Sequence, residues 1–338
     1  MLGAAIASLR RSSYAIGDVS IRWGVLLPTF GIGDGVPPVV EAARRAEQLG
    51  FDALWAGDHL ICDAPVLDAL CALSAAAAVT NRIELGASVL QLGLRQPAWA
   101  AKQLATVATL APGRLRLGVG VGGEYPQEFT AAGVDRRTRG ARLDEIMRVL
   151  PLLLRGEPVD HCGPLAPVRV TGLKPATPTH VPVSVGGRSD AALRRAARYG
   201  DQWMPIWLSP QTVRDRARRL AVLAAENGRP VPSIALLILV NVDEDIATAR
   251  SAAAELVHRQ YQMALERVDR WTAYGPAETV ADLLQDYADV GVSEFVLMPA
   301  SADPLAQYEG LAGVRELVRP PRPPSRETLY RREWPGHR

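Results

Sequence analysis

The chain has 338 residues, 48% of them hydrophobic and 22% charged, with a formal net charge of +2. This is the make-up of a soluble globular protein with ample core. The last twenty residues carry six arginines against Glu327 and Glu333, so the remainder is slightly acidic and offers no footprint for nucleic acid. No apolar run approaches the roughly 20 residues that span a membrane. Cys62, Cys71 and Cys162 are odd in number and form no CxxC pair, which points to a reducing compartment rather than a disulfide scaffold.

Residues 1–20 read as an N-terminal extension. The apolar stretch of "MLGAAIASLRRSSYA" precedes its arginines, the reverse of a secretory signal, so a cytoplasmic location is expected. From residue 21 onward strand-like and helix-like patterns alternate. Apolar runs over 22–27, 53–56, 83–88, 115–120, 183–185, 202–205, 234–240 and 294–298 predict strands. Amphipathic patterns over 36–49, 65–79, 97–110, 137–155, 190–199, 210–227, 279–290 and 304–318 predict helices. Pro in a first turn and Gly just past a last one, as in "AEQLG" and "AARYG", punctuate them. Eight β/α units in series predict a parallel sheet, closed into a single (β/α)₈ TIM barrel over 21–318. Residues 121–136, 156–181 and 241–278 break the rhythm, as insertions after strand 4, before strand 5 and after strand 7. Long loops in a compact domain are commonly lids or binding loops. The Pro/Arg-rich tail 319–338 cannot bury much and is expected to be mobile.

In such a barrel the carboxyl ends of the strands form the active face. The second strand ends in "DALWAGDHL" and delivers Asp58 and His59 side by side, with turn chemistry as the plain alternative. The fourth ends in "GVGVGGEYPQEF". Its glycines fit G-x-G-x-x-G, but Pro126 follows almost at once and no strand-end acid stands about 20 residues on, so a dinucleotide fold is rejected. The fifth runs "SVGGRSDAALRRAARYG". Gly186 and Gly187 permit close backbone approach, Ser189 or Asp190 caps a helix whose free N–H groups attract phosphate, and Arg188 adds charge; a plain βα turn remains the alternative. The only lysines, Lys102 and Lys174, lie away from strand ends, against a Schiff-base aldolase. The five histidines are scattered, so no metal site is expected, and no G-x-S-x-G elbow occurs.

"WGVLLPTFG", "EAARRAEQLGFDALWAGDHL", "RIELGASVLQLGLRQPAWAAKQLATVATLAPGRLRLGVGVGGEYPQEF" and "VPVSVGGRSDAALRRAARYGDQWMP", in that order, resemble the luciferase-like superfamily of flavin- and deazaflavin-dependent oxidoreductases. The resemblance runs from about Arg22 to Val318. It implies a barrel that binds coenzyme F-420 or FMN at the carboxyl face, and commonly a homodimer. Carried over residue by residue, it implies a cis Ser88–Val89 peptide buttressing the ring, with Asp58 and His59 beside it. Gly186, Gly187, Arg188 and Ser189 would form the phosphate cradle, Gly123 and Met204 would approach the coenzyme, and Glu124 would be a carboxylate near the ring. Phe30, Tyr125 and Trp207 suggest an apolar, aromatic-lined substrate pocket, with core packing as the alternative.

The expected activity is F-420-dependent hydride transfer to or from a C=C, C=N or C=O bond of a small organic molecule. His59 would be the acid beside the ring, and Glu124 a second one if the apolar lining buries it. The alternatives are an FMN-dependent monooxygenase fed by a flavin reductase, and a barrel that binds coenzyme without catalysis.

Overall fold

The computed structural model describes residues 20–30, 38–177 and 179–320, so the extension before residue 20 and the tail beyond 320 lie outside the described residues. In chain order these are β1 (Arg22–Leu26), α1 (Val39–Gln48), β2 (Ala53–Ala56), α2 (Ala69–Ala77), β3 (Glu84–Leu90), α3 (Pro97–Leu110), β4 (Leu115–Val119), α4 (Pro126–Ala131) and α5 (Arg139–Leu154). Then follow β5 (Val159–His161), β6 (Val168–Val170), β7 (Val183–Gly186), α6 (Asp190–Tyr199), β8 (Gln202–Met204) and α7 (Pro210–Glu226). The chain closes with β9 (Ser233–Val242), α8 (Ile246–Tyr261), β10 (Ala273–Gly275), α9 (Ala277–Ala288), β11 (Glu294–Pro299) and α10 (Gln307–Leu317).

The sheet runs β9-β11-β1-β2-β3-β4-β7-β8 and returns to β9, every neighbour parallel. This closed ring of eight is the expected (β/α)₈ barrel. Strands buried on both faces explain the unbroken apolar runs: Ala53–Ala56 and Leu115–Val119 are buried at every position. Most predicted helices match within a few residues. The second starts at Ala69 rather than 65, because the Asp68 carboxylate accepts from the Cys71 N–H and sets the N-cap there. The three insertions hold α4, the antiparallel pair β5–β6, and α8 with β10, which adds to the far end of β9.

The barrel interior is layered. Trp55 fills its middle, fully buried, because the neighbouring strands offer Gly24 and Gly86; a Cβ on either would collide with the indole. Below it, toward the amino ends of the strands, lies a buried ionic cluster. Arg116 donates to Glu294 Oε1 at 2.6 Å and to Gln202 Oε1 at 2.9 Å, and Gln202 Nε2 donates to Glu294 Oε2 at 3.0 Å. The Arg116 guanidinium sits 4.9 Å from the Trp55 ring centroid. With the lower end plugged, the open space lies above Trp55, at the carboxyl ends of the strands. Among the described residues no helix is long and apolar enough to cross a membrane.

Candidate active site

The floor of the upper cavity is an irregularity in β3. Pairing of β3 with β4 breaks between Ala87 and Leu90, and the Ser88–Val89 peptide is cis, as the sequence resemblance implied. The backbone can turn there because its neighbours are glycines. A Cβ on Gly120 would collide with Val89, and one on Gly186 would lie 2.8 Å from Val89 Cγ1. The glycines of "GVGVGG" thus make room for the β3 irregularity rather than for a dinucleotide. Ser88 Oγ donates to Met204 Sδ at 3.4 Å across the barrel mouth.

At the end of β2, Asp58 turns away from the cavity center. Its carboxylate accepts from the Gln91 N–H at 2.8 Å and from Arg95 at 2.7 Å, and Arg95 reaches Asp68 at 3.1 Å. Burial pushes the Asp58 carboxyl up, against the pull of Arg95 and the Gln91 amide. His59 lies one residue on, with Nδ1 3.2 Å from Glu128 Oε1. Glu128 is fully buried on α4 and also accepts from the Leu60 N–H at 2.7 Å and from Gln91 Nε2 at 3.1 Å. Burial works to raise its carboxyl, but the bonds from His59, Gln91 and Leu60 outweigh it and hold the group below the usual carboxylate range. A carboxylate here makes Nδ1 a donor, which leaves Nε2 as the ring nitrogen available to the cavity. Tyr125 packs edge-on against the imidazole, with centroids 5.2 Å apart, and Phe30 closes it in at 5.9 Å. The Tyr125 hydroxyl donates to the Gln260 carbonyl at 2.6 Å, and burial pushes its pKa up to about 12.

The cavity has about 200 Å³ of enclosed space, and about 940 Å³ when its open mouth is counted. Of the residues singled out by sequence, Phe30, Asp58, His59, Ser88, Val89, Glu124, Gly186, Gly187, Met204 and Trp207 meet on its wall. Gly123, Tyr125, Arg188 and Ser189 flank the wall instead. Glu124 is exposed at the rim, a correction to the expected burial: α4 begins at Pro126 and turns Tyr125 and Glu128 inward, so Glu124 points out. Gln91, Trp207 and Gln260 line the cavity, and the buried Gln91 Oε1, Trp207 Nε1 and Gln260 Oε1 have no partner among the described residues. Buried polar atoms are normally bonded, so three orphans in one cavity fit a bound polar ligand.

Beside the cavity α6 starts after the two glycines. Gly187 takes φ +117°, and its N–H donates to Met204 O at 3.2 Å. Ser189 caps α6, its Oγ accepting from the Ala192 N–H at 3.2 Å, so the first-turn amides are directed outward. Asp190 is paired with Arg216 at 3.0 Å, which offsets the repulsion that its charge would exert on a phosphate. The Arg188 guanidinium lies 5.8 Å from the Trp207 ring centroid. Donors, a helix N-terminus and a cation therefore stand together at the edge of the cavity, an arrangement suited to an anion. Among the described residues no group of three or more His, Cys, Asp or Glu side chains is placed to hold a metal ion.

Gln91, Arg95 and Glu128 were not singled out in the sequence, although Glu128 stands in the "EYPQEF" stretch. From Pro126 as first helical residue, Tyr125, Glu128 and Phe129 fall on one inward face at i, i+3 and i+4.

The family model of the luciferase-like monooxygenases matches residues 22–294. An uncharacterized protein of Mycobacterium tuberculosis is 34% identical over 168 residues, half of this chain, and the chain spans 58% of that relative's length. An F-420-dependent glucose-6-phosphate dehydrogenase of Kineococcus radiotolerans is 31% identical over 83% of this chain and 93% of its own. Among solved structures, an F-420-dependent secondary alcohol dehydrogenase superposes with a TM-score of 0.78 at 22% identity, covering 89% of this chain and 99% of the other. The oxygenating constituent of a Pseudomonas putida Baeyer–Villiger monooxygenase, in complex with FMN, reaches 0.74 at 17% identity over 90% and 100%. At these identities the two structures establish the fold.

Proposed function

The chain belongs to the luciferase-like monooxygenase family, and from that membership we propose that it is an oxidoreductase using a deazaflavin or flavin coenzyme. More narrowly, we propose that the coenzyme is F-420 and that the reaction is a two-electron hydride transfer with a small organic molecule. The observation that carries this reading is His59, whose Nδ1 is bound by the buried Glu128 while its other ring nitrogen is left to the cavity. The Kineococcus relative, an F-420-dependent dehydrogenase by name, supports the choice of coenzyme.

The residues fit the group. Val89 and Met204 would hold the ring from β3 and β8, and Gly186 keeps the wall between them free of side chain. Arg188 and the first turn of α6 would take the phosphate. Bound F-420 supplies or accepts the hydride. The substrate atom next to the reacting carbon needs a proton in reduction and loses one in oxidation, and His59 Nε2 exchanges it. Glu128 fixes the tautomer and angle of the ring, and Gln91 Nε2, donating to Glu128, holds that carboxylate in place. Phe30 and Tyr125 keep water from the imidazole.

A fluorescence titration of the purified chain with F-420, and separately with FMN, tests the coenzyme. Saturable F-420 binding at micromolar concentrations, with FMN at least tenfold weaker, is the expected result. Tight FMN binding with oxygen consumption dependent on a flavin reductase would replace this reading by a monooxygenase.

A further inference from the structure

The upper cavity carries more information about its substrate than the reaction class. Its outer wall is apolar and aromatic: Leu26, Ile206, Leu237, Tyr261 and Met298 surround Trp207. Tyr261 packs edge-on against Trp207 with centroids 4.6 Å apart. Trp207 takes φ +53°, a left-handed backbone rare outside glycine, so the surrounding packing pins its indole at this place.

The charge of the wall is one-sided. Its side chains include the carboxylates Asp58 and Glu124 and the imidazole of His59, but among the described residues no lysine or arginine. Of the described arginines nearby none lines the wall: Arg136 donates to the Gly123 carbonyl at 2.9 Å and Arg139 to the Arg136 carbonyl at 2.8 Å. Arg95 is bound to Asp58 and Asp68, and Arg259 lies 3.5 Å from Glu255 beside a neighbouring hollow. Arg188 stacks over Trp207 next to the α6 turn that the coenzyme phosphate would use. A substrate phosphate on this wall would lose its water with no lysine or arginine side chain of the lining to replace it.

Two uncharged polar handles remain in the apolar part, Trp207 Nε1 as a donor and Gln260 Oε1 as an acceptor, both buried and without a partner among the described residues. A hydroxyl can meet either of them, and a carbonyl oxygen can take the indole N–H. We propose that the substrate is an uncharged, largely apolar molecule with a single hydroxyl or carbonyl function, and that this chain rejects sugar phosphates of the kind its Kineococcus relative is named for. The inference rests on the reading of this cavity as the catalytic site.

Isothermal titration calorimetry with cyclohexanol and with glucose 6-phosphate tests it. Coenzyme loading is measured beforehand, and the two ligands are titrated into both the F-420-loaded and the coenzyme-free chain. The expected result is saturable cyclohexanol binding, with glucose 6-phosphate at least about 100-fold weaker. Trp207→Phe keeps an aromatic ring and deletes the donor, and is expected to weaken cyclohexanol about tenfold without admitting glucose 6-phosphate. Glucose 6-phosphate binding as tightly as cyclohexanol, or neither binding at millimolar concentration, overturns the proposal. An unchanged cyclohexanol affinity in Trp207→Phe overturns the donor assignment. A chain that takes no F-420 but still prefers cyclohexanol overturns the coenzyme reading and leaves the substrate class standing.

Discussion

His59→Ala is expected to lower turnover by roughly 10²–10⁴-fold, the range for loss of a general acid, while leaving coenzyme affinity within about twofold. The two effects would separate because His59 lines one part of the cavity while the proposed phosphate anchor is the first turn of α6. The position of the ring depends on Glu128. With its carboxyl held below the usual range, Glu128 stays ionised through neutral pH and accepts from Nδ1. The sign follows from the depressed pKa: this support is fully present above the usual carboxylate range and is lost as pH falls through the lowered value. Glu128→Gln keeps the shape and removes the charge. It should cost less than His59→Ala and change the pH dependence of turnover, since the amide presents no charge to the imidazolium. A loss below tenfold in His59→Ala would show that the proton comes from elsewhere.

The second large effect concerns stability. Arg116→Met is expected to destabilise the fold by about 3–5 kcal/mol, because it leaves a buried charge uncompensated. The Glu294 side chain is 1% exposed, and Arg116 at 2.6 Å is its closest cation; Arg22 stands 3.8 Å away on the other oxygen. Gln202 alone cannot replace the guanidinium, since its amide gives one donor to Glu294 and its carbonyl already accepts from Arg116 and from Ser184. Denaturant unfolding measures the loss. Arg116→Met combined with Glu294→Leu should recover much of it, because an apolar pair of similar volume carries no desolvated charge. A cost under about 1 kcal/mol for Arg116→Met alone would mean that the cluster is hydrated and only marginally stabilising.

The barrel was legible because a parallel strand buried on both faces must be apolar throughout, and "ALWA" and "FVLMP" are. The turns at Gly50 and the caps at Ser189 and Ser209 bounded the helices for local reasons that sequence displays. The three-residue strands β5, β6 and β10 are partly exposed, unlike β8 of equal length, and so present no apolar run. The site was legible in part. Asp58, His59, Ser88 and Gly186 stand at strand ends, where topology alone assigns a face. Gln91 and Glu128 acquire their role only when β2, β3 and α4 converge: Gln91 is 37 residues from Glu128, and His59 is 69. No local pattern encodes that meeting. Glu124 was expected near the ring from the resemblance, buried if an apolar lining enclosed it, but the α4 turn gives the inward positions to Tyr125 and Glu128.

The account stands on the cavity above Trp55 being the coenzyme site, and parallel F-420 titrations of the native chain and of Gly186→Glu test that most directly. The substitution puts a side chain where a Cβ already lies 2.8 Å from Val89 Cγ1, and adds a negative charge beside the α6 turn. The native chain should saturate, and the variant, checked by its thermal melt to be folded, should show no binding at a hundredfold higher coenzyme concentration. A folded Gly186→Glu variant that binds F-420 as the native chain does would place the coenzyme elsewhere and contradict the account.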